Sequence, residues 1–156
     1  MKSLKPCAME GIDSASQTPQ EALILAAGLG SRIRPHTKTP KPLTKVLGLT
    51  LAERVVCTLL DVGVRRFIVT LGHEAETVKA HFSYIARRRG VTIDFIEAEN
   101  WERGNGASAL AANGRTGEAP FFLVMIDHLF DPQIGWALAN DPPAPGEMCL
   151  AVDRDK

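Results

Sequence analysis

Apolar runs of strand length recur along the chain and are separated by polar or amphipathic segments. Residues 21–26 (EALILA) form the first run, which stops at Gly28 and is typical of a strand buried on both faces and followed by a glycine loop. The run at 121–126 is also expected to be buried on both faces. Further strands are predicted over residues 67–71, 91–96 and 148–152.

Helical periodicity appears between these runs. Thr50 and Glu53 have the spacing of a capping box, and the apolar residues after them recur every three or four positions until Gly63. Residues 74–89 predict a second helix. Its core-facing side chains are expected to be those of Val78, Phe82 and Ile85. Two shorter helices are predicted, over residues 108–112 and from Asp131 as N-cap and Pro132 as first residue.

This alternation of strands and helices predicts a mostly parallel sheet with helices on both faces, an α/β fold of three layers. The interval 27–48 interrupts it, because its glycines and prolines predict a long loop. Ligands of such sheets bind at the carboxyl ends of the strands. Chemistry is therefore expected in the segments that follow the strands, at residues 27–45, 72–73, 98–108 and 127–128.

Composition limits the classes of partner. The 156 residues, of which 45% are hydrophobic, suffice for one domain. The 18 basic and 18 acidic side chains balance, so the chain lacks the overall positive charge with which proteins bind nucleic acid or an anionic membrane surface. No apolar run approaches the roughly 18 residues that span a bilayer. We expect neither nucleic acid nor membrane contact from this chain.

Both termini and the cysteines bear on the setting of the domain. Residues 1–20 lack the apolar core of a secretion signal and predict a flexible leader before a domain over 21–156. Three cysteines without disulfide or metal spacing suit a reducing compartment, and we expect a cytoplasmic protein. Cys57 and Cys149 are predicted to be small core residues.

The chain stops just after a predicted strand, as a fragment of a longer protein would.

The glycine loop after the first strand carries a local positive charge. Between Glu21 and Glu53 the chain has no acidic residue. The basic residues in this interval are Arg32, Arg34, Lys38, Lys41 and Lys45. Glycines let backbone N–H groups approach phosphate oxygens, and basic side chains neutralise the phosphate charge. The segment predicts a polyphosphate-binding loop, with a solvated basic loop as the alternative.

Two common nucleotide-binding motifs do not match. No Walker-type G-x-x-x-x-G-K-[ST] sequence is present. Gly28-Leu29-Gly30 begins a dinucleotide fingerprint, but Ile33 stands where the third glycine is needed, and no acid follows the second predicted strand. These departures argue against a kinase-type NTPase and against a nicotinamide or flavin site.

A known family shares the sequence of this loop. The chain resembles the nucleotidyltransferases with the signature L-x-A-G-x-G-[ST]-R and a later K-P, here Leu25-Ala26-Ala27-Gly28-Leu29-Gly30-Ser31-Arg32 and Lys41-Pro42-Leu43. It is most similar to the inositol-1-phosphate cytidylyltransferases, which form CDP-activated alcohols. Two stretches carry this closer likeness, Gly104-Asn105-Gly106-Ala107-Ser108 and Leu123-Val124-Met125-Ile126-Asp127-His128. The resemblance covers residues 22–154 and implies a Rossmann-like, truncated nucleotidyltransferase domain.

The resemblance also implies roles for individual residues. Arg32 and Lys41 would stabilise the triphosphate as catalytic residues, and Asp127 would hold Mg²⁺. Nucleotide-binding roles are implied for Leu25, Ala26, Ala27, Gly28, Gly30, Ser31, Lys45, Gly72, Asn105, Gly106 and Ser108. The implied reaction moves a nucleotidyl group from an NTP, CTP in this branch, to a phosphorylated polyol or sugar such as inositol 1-phosphate and releases pyrophosphate. Some relatives carry a downstream membrane domain.

Other interpretations stay open. The chain could be a nucleotide-binding regulatory or degenerate module without turnover, or a nucleotidyltransferase with another base and acceptor, of the sugar-phosphate or molybdenum-cofactor type. Asp127 could instead cap the turn that follows it. His128 is either an acceptor-side residue or a structural histidine. Trp101 and Trp136 are predicted to pack in the fold rather than to stack on a base.

Overall fold

The computed structural model describes residues 19–31 and 39–152. The strands in these ranges are β1 (Glu21–Leu25), β2 (Lys45–Val46), β3 (Leu49–Thr50), β4 (Arg66–Leu71), β5 (Thr92–Glu97) and β6 (Phe122–Met125). The helices are α1 (Leu51–Val62), α2 (Ala75–Arg89), α3 (Asn105–Leu110) and α4 (Pro132–Asn140). Two short 3₁₀ turns lie at Lys41–Leu43 and Trp101–Arg103. Leader residues 1–18 lie outside the described ranges.

Four strands form one parallel sheet in the order β5-β4-β1-β6. Strand β1 lies inside this sheet and pairs with β4 on one side and β6 on the other, with Leu25 aligned to Thr70 and to Met125. Four of its five residues are buried. The predicted parallel sheet and the doubly buried first strand are therefore confirmed.

Two apolar clusters lie on opposite faces of the sheet. The larger cluster joins Ile24 and Val69 to side chains of α1, α2 and α4, including Leu59 and Phe82. The smaller cluster contains Leu23, Leu25, Ile68 and Ala112, with Ala109 of α3 packed against it. Side chains alternate between the faces of a strand, so neighbouring residues of β1 enter different clusters. The predicted three-layer arrangement is confirmed.

Helix α1 begins and ends as its sequence predicts. The Thr50 hydroxyl accepts a hydrogen bond from the Glu53 backbone N–H at 3.1 Å, and the Glu53 carboxylate accepts one from the Thr50 N–H at 2.9 Å. Gly63 ends the helix in the left-handed conformation, with φ of 113°. That conformation is open to glycine because it lacks a Cβ. The capping box predicted from two residues is confirmed.

The interval predicted as a long loop contains regular structure. Within it, Lys41–Leu43 forms a 3₁₀ turn, and β2 begins the two-stranded hairpin that β3 completes. Leu47 and Gly48 both have positive φ at the hairpin turn. Prolines and glycines signal breaks in helices, but they are compatible with tight turns and short hairpins, which explains the difference. Residues 32–38 of this interval lie outside the described ranges.

Strand β6 corrects the expectation of burial on both faces. Phe122 and Val124 are buried, whereas Leu123 is 56% exposed and Phe121 is also exposed. The strand pairs with β1 on one side, and within the described residues no strand pairs with its other edge. An apolar run therefore does not show that a strand lies inside the sheet.

The predicted strand at 148–152 is not found. Met148, Leu150 and Val152 lie in extended, non-regular backbone and are 72–76% exposed. A strand needs a hydrogen-bonding partner, and the described ranges supply none to this segment. The expectation of a core Cys149 is wrong for the same reason, since that thiol is exposed. Cys57 is half-buried rather than fully enclosed.

Helix α3 begins three residues earlier than predicted. Gly104, with φ of 100°, stands immediately before it, so the glycine-rich stretch starts the helix instead of preceding it as a loop. The other boundaries in the sheet and in α2 agree with prediction within about one residue, and the core-facing residues of α2 are confirmed. Within the described parts of the chain, no helix is both long and apolar enough to cross a membrane.

Candidate active site

The carboxyl ends of β1, β4 and β6 meet at one edge of the sheet. Backbone hydrogen bonds continue the pairing beyond the strands: the Ala26 N–H donates to Thr70 O at 3.1 Å, and the His73 N–H donates to Ala27 O at 3.0 Å. On the other side the Ile126 N–H donates to Leu25 O at 3.2 Å. The segments predicted to carry chemistry after these strands therefore lie side by side.

Gly30 and Lys41 are in close contact in the glycine loop. Gly30 has φ of +67°, and a Cβ placed on it would lie 2.9 Å from Lys41 Cβ. The alkyl part of Lys41 thus lies directly against the loop, and only glycine leaves room for it. Gly28 differs, since a Cβ there would have no neighbour within 4 Å. Gly28 leaves the loop surface open to a ligand.

Lys41 brings its charge to the end of β6. Its Nζ donates to Asp127 Oδ2 at 2.5 Å, with side chains 19% and 39% exposed. Burial raises the pKa of Asp127, but the hydrogen bond and positive charge of Lys41 outweigh burial and hold that pKa below its usual 3.8. Asp127 is therefore an anion at neutral pH. Lys41 keeps two further N–H donors for an anionic ligand.

A cavity of about 340 Å³ lies between the glycine loop and α3. Its volume lies within the roughly 300–1,000 Å³ of small-molecule sites. Five of its lining residues belong to the predicted nucleotide-binding set, namely Leu25, Ala27, Gly28, Asn105 and the buried Ser108. The remaining lining residues are Leu29, Trp101, Glu102 and Gly104.

Trp101 forms one wall of this cavity and lies on Gly72. A Cβ at position 72 would lie 2.5 Å from Trp101 Cγ and 2.7 Å from the Ala27 carbonyl oxygen. The Trp101 ring is also 5.9 Å from the ring of His73. Trp101 packs, as expected, and lines the cavity as well. Trp136 is remote from it, and its indole N–H donates to Asp61 O at 3.2 Å.

Helix α3 is tied to β6 through one side chain. The Asn105 amide nitrogen lies 2.8 Å from Met125 Sδ, two residues before Asp127. This contact links the cavity wall to the strand that carries the carboxylate. Asn105 thus has one face toward β6 and another toward the cavity.

The donor set around Asp127 sets limits on metal binding. Within residues 19–31 and 39–152, no three His, Cys, Asp or Glu side chains form a cluster that could hold a metal. Mg²⁺ in proteins usually keeps several waters and binds through one or two carboxylates together with substrate phosphates. The ionised Asp127 carboxylate, paired with Lys41 beside the glycine loop, fits that manner of binding.

Several predicted site residues lie elsewhere. Arg32 lies outside the described residues. Ser31, Lys45 and Gly106 are exposed and do not line the cavity, and Gly72 is separated from it by Trp101. The His128 side chain is exposed, and its backbone N–H donates to Met125 O at 3.0 Å. Of the predicted residues, the cavity brings together Leu25, Ala27, Gly28, Asn105 and Ser108. Lys41 separately contacts Gly30 and Asp127.

Sequence reasoning missed Glu102 and Leu29 as lining residues. Both lie in segments that follow strands, the location from which ligand contacts were expected. Glu102 lies outside the quoted motifs, and Leu29 occupies a variable position of the signature. Their position after a strand was therefore the available signal. The sequence predicts a packing role alone for Trp101.

Comparison with protein families matches residues 22–156 to the MobA-like NTP transferase domain. The chain is 41% identical over 133 residues to a bifunctional IPC transferase and DIPP synthase of Rubrobacter xylanophilus, covering 85% of this chain and 28% of that protein. It is 34% identical over 148 residues to an N-acetylmuramate alpha-1-phosphate uridylyltransferase of Caulobacter vibrioides, covering 88% of this chain and 59% of the relative.

Among solved structures, the fold is similar to that of the inositol-1-phosphate CTP transferase from T. maritima. The TM-score is 0.65 with 28% sequence identity, and the match covers 75% of this chain and 47% of the other. The chain spans between about a quarter and three fifths of the length of these relatives.

Proposed function

The chain belongs to the MobA-like NTP transferase family, and from that premise we propose that it transfers a nucleotidyl group from CTP to a phosphorylated polyol such as inositol 1-phosphate. Pyrophosphate is the second product. We propose that the reaction takes place in the cytoplasm and requires Mg²⁺. The observation that carries the proposal is the ion pair of Lys41 and Asp127 at the edge of the glycine loop.

This pair places one cation and one anion where a triphosphate and its metal would meet. Lys41 lies against Gly30 and reaches Asp127, so it can contact phosphate oxygens held by backbone N–H groups of the loop. Asp127 would hold Mg²⁺, which when bound neutralises phosphate charge and makes the α-phosphorus more electrophilic. Arg32, next in sequence to the loop, is proposed as a second cation for the triphosphate.

The reaction needs no side-chain nucleophile. An oxygen of the acceptor phosphate forms a bond to the α-phosphorus, while the bond from that phosphorus to the bridging oxygen of pyrophosphate breaks and its electron pair leaves with pyrophosphate. A phosphate monoester has its second pKa near 6, so the acceptor is mostly a dianion at neutral pH and requires no general base. The contribution of Lys41 is to stabilise the charge that grows on the leaving group.

The choice of base and acceptor has two supports. The stretches Gly104–Ser108 and Leu123–His128 resemble the cytidylyltransferase branch, and the solved relative at 28% identity is an inositol-1-phosphate CTP transferase. The cavity lined by Trp101, Asn105 and Ser108 is the proposed site of the base and ribose. Since the chain covers 47% of that relative, acceptor-binding residues can lie in sequence that this chain does not contain.

The test is pyrophosphate release from each of CTP, UTP, GTP and ATP, with Mg²⁺ or with EDTA, and with a panel of acceptors that includes inositol 1-phosphate. Release with CTP and one acceptor is expected. Lys41→Ala should lower the rate about 10²-fold or more, as loss of a transition-state donor does. Asp127→Ala should abolish the Mg²⁺-dependent release, because the residue proposed to hold the metal is removed.

Matched controls separate chemistry from folding. Lys79→Ala on α2 and Asp61→Ala on α1 remove the same charges away from the loop and should leave the rate unchanged. Release that survives both site variants would contradict the proposal. Mg²⁺-dependent nucleotide binding without pyrophosphate release would instead identify a nucleotide-binding module.

A further inference from the structure

The cavity beside α3 presents hydrogen-bond acceptors to a ligand. Its oxygen-bearing side chains are those of Glu102, Asn105 and Ser108. One N–H of the Asn105 amide is directed at Met125 Sδ, with 2.8 Å between nitrogen and sulfur, which leaves its second N–H and the amide oxygen for other contacts. The Glu102 carboxylate is exposed and forms no hydrogen bond or ion pair with another described residue. It offers acceptors alone.

The two pyrimidine nucleotides differ at one edge of the base. Cytosine carries an amino group at C4, which donates, whereas uracil carries a carbonyl oxygen there, which accepts. A carboxylate attracts the first group and repels the second, and glutamate or aspartate pairs with the cytosine amino group in other recognition sites. A carboxylate on the cavity wall, without a partner among the described residues, is thus chemically suited to distinguish the two bases.

The location of Glu102 is held by its neighbours. It lies in the 3₁₀ turn Trp101–Arg103, whose first residue rests on Gly72 and whose last N–H donates to Asn100 O at 3.0 Å. The following Gly104 N–H donates to Trp101 O at 3.1 Å. The turn is therefore anchored to the end of β4 by the indole and to α3 by its own backbone.

We propose that Glu102 is a specificity-determining residue that accepts a hydrogen bond from the exocyclic amino group of cytosine and so selects CTP over UTP. This inference rests on the proposed function, since it assigns the base site of the same nucleotide.

The experiment compares the dissociation constants of CTP and UTP for the full chain, by calorimetry in the presence of Mg²⁺. Wild type should bind CTP more tightly. In Glu102→Gln, whose amide can donate to the uracil oxygen, the ratio of the two constants should fall about fivefold or more, within the range of one base-specific contact. Glu102→Ala should weaken CTP binding, and it should strengthen UTP binding because the repulsion of the uracil oxygen is removed.

Glu99→Gln is the matched control. Glu99 is an exposed glutamate just before the same turn and does not line the cavity, so its substitution should leave the ratio unchanged. Quenching of Trp101 fluorescence in a Trp136→Phe background reports independently that the nucleotide enters this cavity.

The outcomes distinguish the two claims. If wild type binds both nucleotides and Glu102→Gln leaves their ratio unchanged, or if UTP binds more tightly than CTP, the role of Glu102 is overturned while nucleotide binding stands. If no nucleotide binds to wild type, both the inference and the proposed function are overturned.

Discussion

Trp101 covers Gly72 so closely that position 72 has no room for a side chain. A Cβ there would lie 2.5 Å from the indole Cγ and 2.7 Å from the Ala27 carbonyl oxygen. The glycine that follows β4 is therefore required by the packing of the cavity wall. A resemblance to nucleotidyltransferases implied a ligand contact for this glycine, whereas the structure adds a steric reason for its identity.

Gly72→Ala is expected to displace Trp101 and lower both the free energy of unfolding and the affinity for nucleotide. Overpacking of this kind typically costs about 1–3 kcal/mol. Chemical denaturation and CTP calorimetry would measure the two effects. The double variant Gly72→Ala, Trp101→Ala should recover only part of the stability, because the Ala27 carbonyl still opposes the new methyl group. Wild-type stability in Gly72→Ala would contradict the packing argument.

Gly30→Ala is expected to destabilise the chain and slow pyrophosphate release. The substitution adds a methyl group 2.9 Å from Lys41 Cβ and places alanine at a φ of +67°, which L side chains rarely adopt. Gly28→Ala is the control for stability, since its Cβ would meet nothing within 4 Å. Thermal unfolding of the two variants should differ, and equal melting temperatures would argue against the close contact with Lys41.

Lys41→Met should change how stability depends on pH. In wild type the pKa of Asp127 lies below its usual 3.8. The ion pair therefore stabilises the folded state fully at pH values above the pKa that Asp127 has in the unfolded chain. This stabilisation is lost as the pH falls through the lower pKa of Asp127 in the folded chain. The stability difference between wild type and variant should therefore be constant from about pH 5 to 7 and shrink below about pH 4. Urea denaturation across this range measures it.

The carboxyl carbon of Asp127 offers a direct check by NMR titration. The pKa of Asp127 should rise in Lys41→Met, because the carboxyl group stays partly buried after the positive charge of Lys41 is removed. In Lys79→Met, which alters a lysine on α2, the same resonance should titrate as in wild type. An unchanged pKa in Lys41→Met would show that the ion pair is not formed in solution.

Thr50→Ala is expected to lower the free energy of unfolding by about 0.5–2 kcal/mol, the usual effect of losing an N-cap side chain. The Thr50 hydroxyl accepts from the Glu53 N–H at 3.1 Å and lies 2.9 Å from His81 Nε2, so it also connects α1 to α2. Thr58→Ala, within the same helix, should be neutral or stabilising because alanine has the higher helix propensity. Denaturation midpoints of the two variants test this difference.

Short-range sequence patterns were sufficient for most of the fold. The capping box of Thr50 and Glu53, the apolar run of β1 and the spacing of Val78 and Phe82 each depend on residues a few positions apart, so their interactions form locally. The glycine loop and the carboxylate after β6 could also be predicted, because parallel strands bring their carboxyl ends to one edge.

The sequence by itself determined the class of fold, the position of the glycine loop and the set of side chains available for chemistry. The tertiary structure decided that Lys41 reaches Asp127, 86 positions away, that Trp101 both covers Gly72 and lines the cavity, and that Leu123 is exposed. These features depend on contacts between segments distant in sequence. The hydrophobicity and charge of a side chain are the same whether it is buried, paired or exposed. Packing against distant segments decides which of these states it adopts.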